Sequence, residues 1–210
     1  MTNDFRMSYF MPPIAPIKDE HGQLVTPPTL IPCCEVSVEQ VFQMITCNEH
    51  LKVLTEQVRN SEDIRTAKAS LLPYVTPCGT FSRRSSKCLI DPSLLTVVDI
   101  DYLTSYQEAV EMRKTLFNDP LLHPVLTFIS PSGRGVKAFI PYNHLSMADD
   151  ANCITEKMKL AMLYTVMIYG TGTPPPFGEK KKGVDFSGKD IVRSCFLCHD
   201  PGALFRATNE

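Results

Sequence analysis

The sequence is organised around one short stretch, LLTVVDID, at residues 94–101. It begins with apolar and β-branched residues, which predicts a strand buried on both faces. Asp99 and Asp101 end the stretch. Side chains alternate along a strand, so both carboxylates lie on one face while Ile100 points into the core. Two like charges side by side repel, and Mg²⁺ or Mn²⁺ would relieve that repulsion. The alternative is a strand end in which Asp101 caps a helix beginning near Thr104.

Composition limits the classes of protein that can carry this strand. The chain has 210 residues, 43% of them hydrophobic and 21% charged, which fits one globular domain. With a net charge of −2, the chain as a whole does not attract nucleic acid, so any nucleic-acid binding must rely on local basic clusters. The sequence shows neither a secretory signal nor an apolar run of about 18 residues, so we expect a cytoplasmic protein with no membrane partner. Its eight cysteines are therefore expected to be reduced thiols.

The segments before the acidic strand divide into an arm and a helical extension. Residues 1–30 are rich in proline and predict an extended or partly disordered arm, with at most one short edge strand. Residues 31–72 predict an N-terminal helical segment, which we expect to form one globular unit with the core at 73–210. The helix starts are marked by a capping box at Ser37 and Gln40 and by N-caps at Asn48 and Ser61, with helices to about Cys47 and near 49–59 and 62–71.

The segments after the acidic strand alternate between helix and strand. Residues 104–117 predict an amphipathic helix, 124–130 a second buried strand, 136–142 a third strand and 148–169 a long helix. This order predicts an α+β fold, with a mixed β-sheet flanked by helices.

Two basic clusters are candidate contacts to nucleic acid. The first, Arg83, Arg84 and Lys87, lies shortly before the acidic strand, and the second is the run Lys180, Lys181 and Lys182. The alternative for each cluster is a solvated charged surface.

The turn SPSGRGVK, at residues 130–137, is the second stretch whose residues could bind a ligand. Gly133 and Gly135 permit backbone torsions that direct consecutive N–H groups at one anion. Hydroxyl and cationic donors suited to phosphate come from Ser130, Ser132, Arg134 and Lys137. The spacing is not that of a P-loop, and the alternative is a glycine hairpin between two strands.

Two further motifs follow near the end of the chain. Asp185, in VDFSGKDIVR, is a candidate third carboxylate for a metal site; the alternative is a strand end, with Asp190 as a cap or ion-pair partner of Arg193. Cys195, Cys198 and His199 match a CxxCH haem-attachment spacing. The missing export signal favours buried thiols on a strand instead.

The three motifs in this order resemble the archaeo-eukaryotic primase superfamily, and more narrowly the VirE N-terminal family. The resemblance covers roughly residues 68–205. It implies an RRM-like catalytic core, metal and catalytic roles for Asp99, Asp101 and Asp185, and Mg²⁺ or Mn²⁺ as the ion. It also implies nucleoside triphosphate binding by the SPSGRGVK turn, with Arg193 nearby, and it makes His199 a further candidate for that site, since some primases have a histidine shortly after this strand. Domains of the VirE N-terminal family head larger proteins of mobile elements, which implies a DNA or RNA template and further C-terminal domains as partners.

One position departs from the superfamily pattern. The middle motif commonly ends in histidine, and this chain has Lys137 there. A lysine neutralises phosphate as a point charge but lacks the neutral ring donor of histidine. We therefore expect metal-dependent nucleotidyl transfer, with a catalytically inactive nucleotide- or nucleic-acid-binding module as the alternative.

Overall fold

The computed structural model describes residues 5–142, 154–170, 183–184 and 190–207, and within them the chain folds into thirteen strands and five α-helices. The α+β class predicted from the sequence is confirmed. In chain order the elements are β1 (Arg6–Phe10), β2 (Ile17–Lys18), β3 (Leu24–Thr26), β4 (Cys34–Ser37), α1 (Val38–Cys47), α2 (Glu49–Arg59), α3 (Ile64–Leu71), β5 (Tyr74–Thr76), β6 (Gly79–Phe81), β7 (Leu89–Pro92), β8 (Leu95–Asp101), α4 (Tyr106–Phe117), β9 (Leu126–Ile129), β10 (Val136–Pro141), α5 (Ile154–Tyr169), β11 (Gly183–Val184), β12 (Cys195–Phe196) and β13 (Leu204–Phe205).

The larger sheet contains the acidic strand and has the order β11-β8-β10-β9-β13. Its elements follow one another as β8-α4-β9-β10-α5-β11. Each described strand pair is antiparallel, because the strands joined by a helix are separated by a third strand running the other way. These two interleaved split β-α-β units are the ferredoxin-like arrangement, which is also that of an RRM-like core.

The smaller sheet has the order β12-β5-β1-β4 and draws on the first residues of the chain. The arm expected at residues 1–30 contributes β1, which lies between β5 and β4 rather than at an edge. Met7 and Phe10 explain this position, because both side chains are fully buried. The proline-rich residues that follow form the β2–β3 hairpin.

Two hydrophobic cores lie on opposite faces of the larger sheet. Val98 and Ile100 of β8 pack in a core with residues of α4 and α5. Leu95 and Val97 belong to the other core, which joins the larger sheet to the smaller sheet and to α1 and α2. By the same alternation, Asp99 and Asp101 lie on the face toward the smaller sheet.

The helix starts confirm most of the predicted caps. Ser37 and Gln40 form the capping box of α1, and the Asn48 side chain caps α2. For α3 the prediction of Ser61 is wrong, because the carboxylate of Asp63 accepts the hydrogen bond from the Thr66 N–H. A carboxylate at a helix N-terminus also gains from the helix dipole.

Helix α4 and strand β9 each begin two residues later than predicted, whereas β10 begins at Val136 as predicted. Ser105 caps α4, which excludes Asp101 as its N-cap. Only residues from 154 onward of the predicted 148–169 helix fall within the described residues. Among the described helices, none is both long enough and apolar enough to cross a bilayer.

A buried ion pair fastens the end of the chain to the larger sheet. Arg113 of α4 donates to both carboxylate oxygens of Asp200, at 2.7 and 2.8 Å. The Ile129 N–H at the end of β9 donates to the same carboxylate at 2.7 Å. Both charged side chains are buried, with exposed fractions of 8% and 1%. Asp200 therefore joins a helix, a strand and the segment that follows β12.

We expect Asp200→Ala to lower the free energy of unfolding by about 3–5 kcal/mol, because it leaves the Arg113 charge buried without its partner. Glu35→Ala is the control, since its pair with Arg6 is also an arginine–carboxylate pair but is about half-exposed. That loss should cost less than about 1 kcal/mol. Urea denaturation of both variants tests the difference, and equal losses would contradict a structural role for the buried pair.

Candidate functional site

The centre of the candidate site is the pair of Asp99 and Lys137. The antiparallel register of β8 and β10 sets these residues directly opposite each other. The Lys137 ammonium donates a hydrogen bond to Asp99 Oδ2, and both residues are buried. Burial opposes the charge on Lys137, but the Asp99 carboxylate outweighs it and the pKa of Lys137 is raised. The lysine therefore stays charged across the physiological pH range.

Asp99 has a second cation nearby and one carboxylate oxygen with no hydrogen-bond partner among the described residues. Arg193 Nη2 lies 3.9 Å from Asp99 Oδ2. Asp99 Oδ1 is buried and accepts no hydrogen bond from the described residues. An unpaired buried carboxylate oxygen is costly unless a ligand or ion satisfies it. This oxygen is therefore available to a bound cation or donor.

The SPSGRGVK turn lies against the end of the acidic strand. Gly133 has a φ of +73° and its N–H donates to the Ser130 carbonyl, closing the turn. Gly135 has no room for a side chain: an added Cβ would lie 2.7 Å from the Ile100 carbonyl oxygen and 3.0 Å from Asp101 Oδ1. The glycine therefore permits the close approach that brings the turn to Asp101.

The donor set fits a magnesium or manganese ion only in part within the described residues. Asp99 and Asp101 supply two carboxylates on one face, and Mg²⁺ is commonly held by one or two carboxylates together with substrate phosphates. Across residues 5–142, 154–170, 183–184 and 190–207, no group of three or more His, Cys, Asp or Glu side chains is positioned to hold a metal. Asp185 lies outside the described residues. Its neighbours Gly183 and Val184 pair with Asp101 and Ile100.

A cavity of about 660 Å³ opens beside Asp101. One wall comes from the turn, through Ser132 and Arg134, as the sequence predicted for a phosphate site. A second part of the lining comes from α3. The complete lining is Ile64, Arg65, Lys68, Asp101, Tyr102, Ser132 and Arg134.

Hydrogen bonds hold the turn wall of this cavity in place. The Arg134 Nε donates to the Leu103 carbonyl at 3.0 Å, and the Leu103 N–H donates to the Arg134 carbonyl at 2.9 Å. Arg59 Nε, from the end of α2, donates to the Pro131 carbonyl at 3.2 Å. These bonds leave the Nη groups of Arg134 as donors for a ligand in the cavity.

Sequence reasoning missed Arg65 and Lys68, because they lie in a segment assigned to a structural extension. The available signal was their spacing, since two cations three residues apart share one face of a helix. Burial lowers the pKa of Lys68, and Lys137 and Arg193 add to the shift while Asp101 and Asp99 oppose it. Lys68 therefore belongs to the same electrostatic cluster as the acidic strand.

The other predicted site residues either do not line the cavity or lie outside the described residues. Ser130, Gly133, Gly135 and Lys137 are buried beside the cavity rather than on its lining. Arg83 and Lys87 are exposed near the β6–β7 hairpin, whereas Arg84 donates to the Ile14 carbonyl at 2.9 Å and stacks over Tyr74. Lys180, Lys181 and Lys182 lie outside the described residues.

The cysteines of the CxxCH motif are free and buried, as predicted. Cys195 lies on β12, where burial, with a smaller effect of Asp99, raises the pKa of its thiol to about 11. Cys198 lies past the strand, and its thiol donates to the Ile129 carbonyl at 3.1 Å. His199 packs against α2, where its N–H donates to Thr55 Oγ1 at 2.8 Å. It does not line the cavity.

The fold and site together describe an α+β domain with a ferredoxin-like sheet and a cationic cavity beside two strand-end carboxylates. The chain belongs to the BT4734-like, N-terminal domain family, whose model matches residues 66–205. No curated protein and no solved structure matches the chain. The name of the family states no activity, so the function has to be argued from the site.

We expect Gly135→Ala to lower the free energy of unfolding by about 1–3 kcal/mol, because the new methyl group must displace the backbone of the acidic strand. The substitution should also lower the affinity for any ligand that contacts both the turn and Asp101. Gly183→Ala is the matched control, since Gly183 pairs with Asp101 and a Cβ there meets no atom of the described residues within 4 Å. Thermal unfolding of both variants measures the difference, and the same midpoint for both would contradict the close approach.

Proposed function

We propose that this chain is a nucleotidyltransferase domain of the primase-polymerase type, which uses Mg²⁺ or Mn²⁺ to act on a nucleoside triphosphate and a DNA or RNA template. The single observation that carries the proposal is the 660 Å³ cavity, where cationic side chains from two walls lie beside Asp101. The motif order supplies the reaction class through its resemblance to primases. In this proposal the domain works in the cytoplasm, in the replication of a mobile element, alongside further C-terminal domains.

The charge of the cavity supports a polyphosphate as the ligand. Arg65, Lys68 and Arg134 line it, while the chain as a whole has a net charge of −2. Because the protein as a whole is slightly acidic, its net charge does not attract anions. An anion is attracted only where cations are concentrated locally, as they are on the lining of this cavity. Charge-assisted hydrogen bonds from such groups to phosphate oxygens are about twice as strong as neutral ones. Ser132 adds a hydroxyl donor on the same lining.

The acidic strand supports metal-assisted chemistry next to that phosphate site. Asp99 Oδ1 and the Asp101 carboxylate are the groups that would hold a divalent ion, together with Asp185 if it joins them. Such an ion, when bound, would lower the pKa of an attacking 3′-hydroxyl and neutralise the leaving pyrophosphate. Lys137 donates to Asp99 Oδ2, which leaves Oδ1 for that ion.

The proposed reaction is an in-line displacement at the α-phosphate. The 3′-hydroxyl oxygen of the growing strand forms a bond to the α-phosphorus, and the bond from that phosphorus to the bridging oxygen of the β-phosphate breaks. Pyrophosphate is the leaving group, and the proton of the attacking hydroxyl passes to solvent water. In this proposal the charge of the phosphates is balanced by Lys68 and Arg134, which line the cavity, and by Arg193, whose Nη2 lies 3.9 Å from Asp99 Oδ2. The exposed Arg83 and Lys87 are candidate contacts to the template backbone.

One observation favours a second function, a nucleotide- or nucleic-acid-binding module without turnover. Lys137 occupies Asp99 Oδ2 through a buried hydrogen bond. A metal that used both oxygens of Asp99 would have to displace that ammonium, at the cost of leaving a buried charge without its partner. Binding of a nucleotide in the cavity needs no such displacement.

We expect wild-type protein to extend a primed template and to initiate on an unprimed one when Mn²⁺ and nucleoside triphosphates are supplied. Asp101→Asn should abolish both reactions, because it removes one negative charge from the metal site with little change in shape. Asp91→Asn, at an exposed aspartate on β7, is the control and should remain active. Wild-type protein that binds triphosphate but makes no product would leave the binding module as the function.

The phosphate role of α3 is tested separately from catalysis. Lys68→Met removes a charge but keeps the apolar stem, so the affinity for a non-hydrolysable nucleoside triphosphate with Mg²⁺ should fall about tenfold or more. Lys114→Met removes one exposed charge at the end of α4 and should leave the affinity unchanged. Calorimetry at fixed salt compares the affinities of the two variants. Equal affinities would contradict a role for α3 in phosphate binding.

A further inference from the structure

Tyr102 is an exposed aromatic residue in a strained backbone conformation at the edge of the cavity. It follows Asp101 directly, lines the cavity, and is 48% exposed. Its φ of +61° lies in the left-handed region, which a residue with a large side chain rarely adopts. Such strain persists where the surroundings over-determine it, and it clusters at ligand sites.

The residues on both sides of Tyr102 hold this conformation. On one side Asp101 pairs with Gly183 at the end of β8. On the other side Leu103 is buried and exchanges hydrogen bonds with Arg134, through its own N–H and through its carbonyl. The strained residue thus stands between two fixed points, and its ring is held over the cavity rather than folded into the core.

Tyr102 supplies the aromatic surface of the cavity, whose other described lining residues are Ile64 and charged or polar side chains. Tyr106 is similarly exposed, but Arg59 lies over its ring at 5.9 Å and it does not line the cavity. Consecutive Cα atoms are about 3.8 Å apart, so the Tyr102 ring stands within the length of one nucleotide from Asp101. The same cavity therefore offers a flat ring as well as cations to a ligand.

We propose that the ring of Tyr102 is the stacking platform for the base of the nucleoside triphosphate bound in the cavity. This inference rests on the proposed function and adds the residue that recognises the nucleoside part. A tyrosine ring stacks on any base, because every base presents a π-face, so the contact confers affinity for a nucleobase rather than a choice among bases.

Two variants separate stacking from folding. Tyr102→Phe keeps the ring and should bind a non-hydrolysable nucleoside triphosphate as wild type does. Tyr102→Asn removes the ring but suits a positive φ, so its thermal stability should equal or exceed that of wild type. Its affinity for the nucleotide should fall about tenfold.

Inorganic tripolyphosphate is the second probe, because it has the phosphates without the base. Tyr102→Asn should bind it, with Mg²⁺ present, as tightly as wild-type protein does. An equal loss for tripolyphosphate and nucleotide would overturn the stacking role, since the substitution would then have damaged the phosphate site. Unchanged nucleotide affinity in Tyr102→Asn would overturn it as well. If wild-type protein binds neither probe, the proposed function fails first, and the stacking proposal fails with it.

A spectroscopic readout checks the contact directly. The chain contains no tryptophan, so Tyr102→Trp introduces a single indole at the platform. Stacking of a base should quench its fluorescence on addition of the nucleotide, whereas tripolyphosphate should leave the emission nearly unchanged. Nucleotide binding without quenching would place the base elsewhere and overturn the proposal.

Discussion

The burial of β8 on both faces is the constraint on which the structure depends. One set of its side chains, including Val98 and Ile100, packs against the helices, and the alternate set, including Leu95 and Val97, packs toward the smaller sheet. A one-residue slip would exchange the two sets and place carboxylates in an apolar core. The register that satisfies both cores therefore also sends Asp99 and Asp101 to one face, beside the helices and strands from the first third of the chain.

The charges of the site are balanced by residues that come from separate parts of the chain. Lys137 lies on the neighbouring strand, Arg193 precedes β12, and Lys68 comes from α3. Lys137 compensates Asp99 within the larger sheet, whereas Arg193 and Lys68 reach the carboxylates only when the two sheets have come together. The site is thus a product of the tertiary packing, and its electrostatics should be sensitive to any change at the interface between the sheets.

Features set by neighbouring residues could be predicted from the sequence, and features set by distant ones could not. The capping box at Ser37, the cap at Asn48 and the buried strand ending in Asp101 all follow from local pattern. The interior position of β1 and the cavity wall formed by α3 depend on which strand or helix a segment meets in three dimensions. The pairing of Lys137 with Asp99 depends on a cross-strand register, which motif spacing alone does not supply.

The segment recognised as the family domain is shorter than the segment that folds. The match begins at residue 66, yet β5 lies next to β1, and the core between the sheets takes Met7, Val41 and Ile45 from earlier residues. A chain trimmed to the matched boundaries would present an open sheet edge and a bare apolar face to water. The folding unit in this family is therefore the segment that completes the hydrophobic core, rather than the segment that the family model matches. A relative that kept only the matched residues would need another protein surface to cover the exposed apolar face.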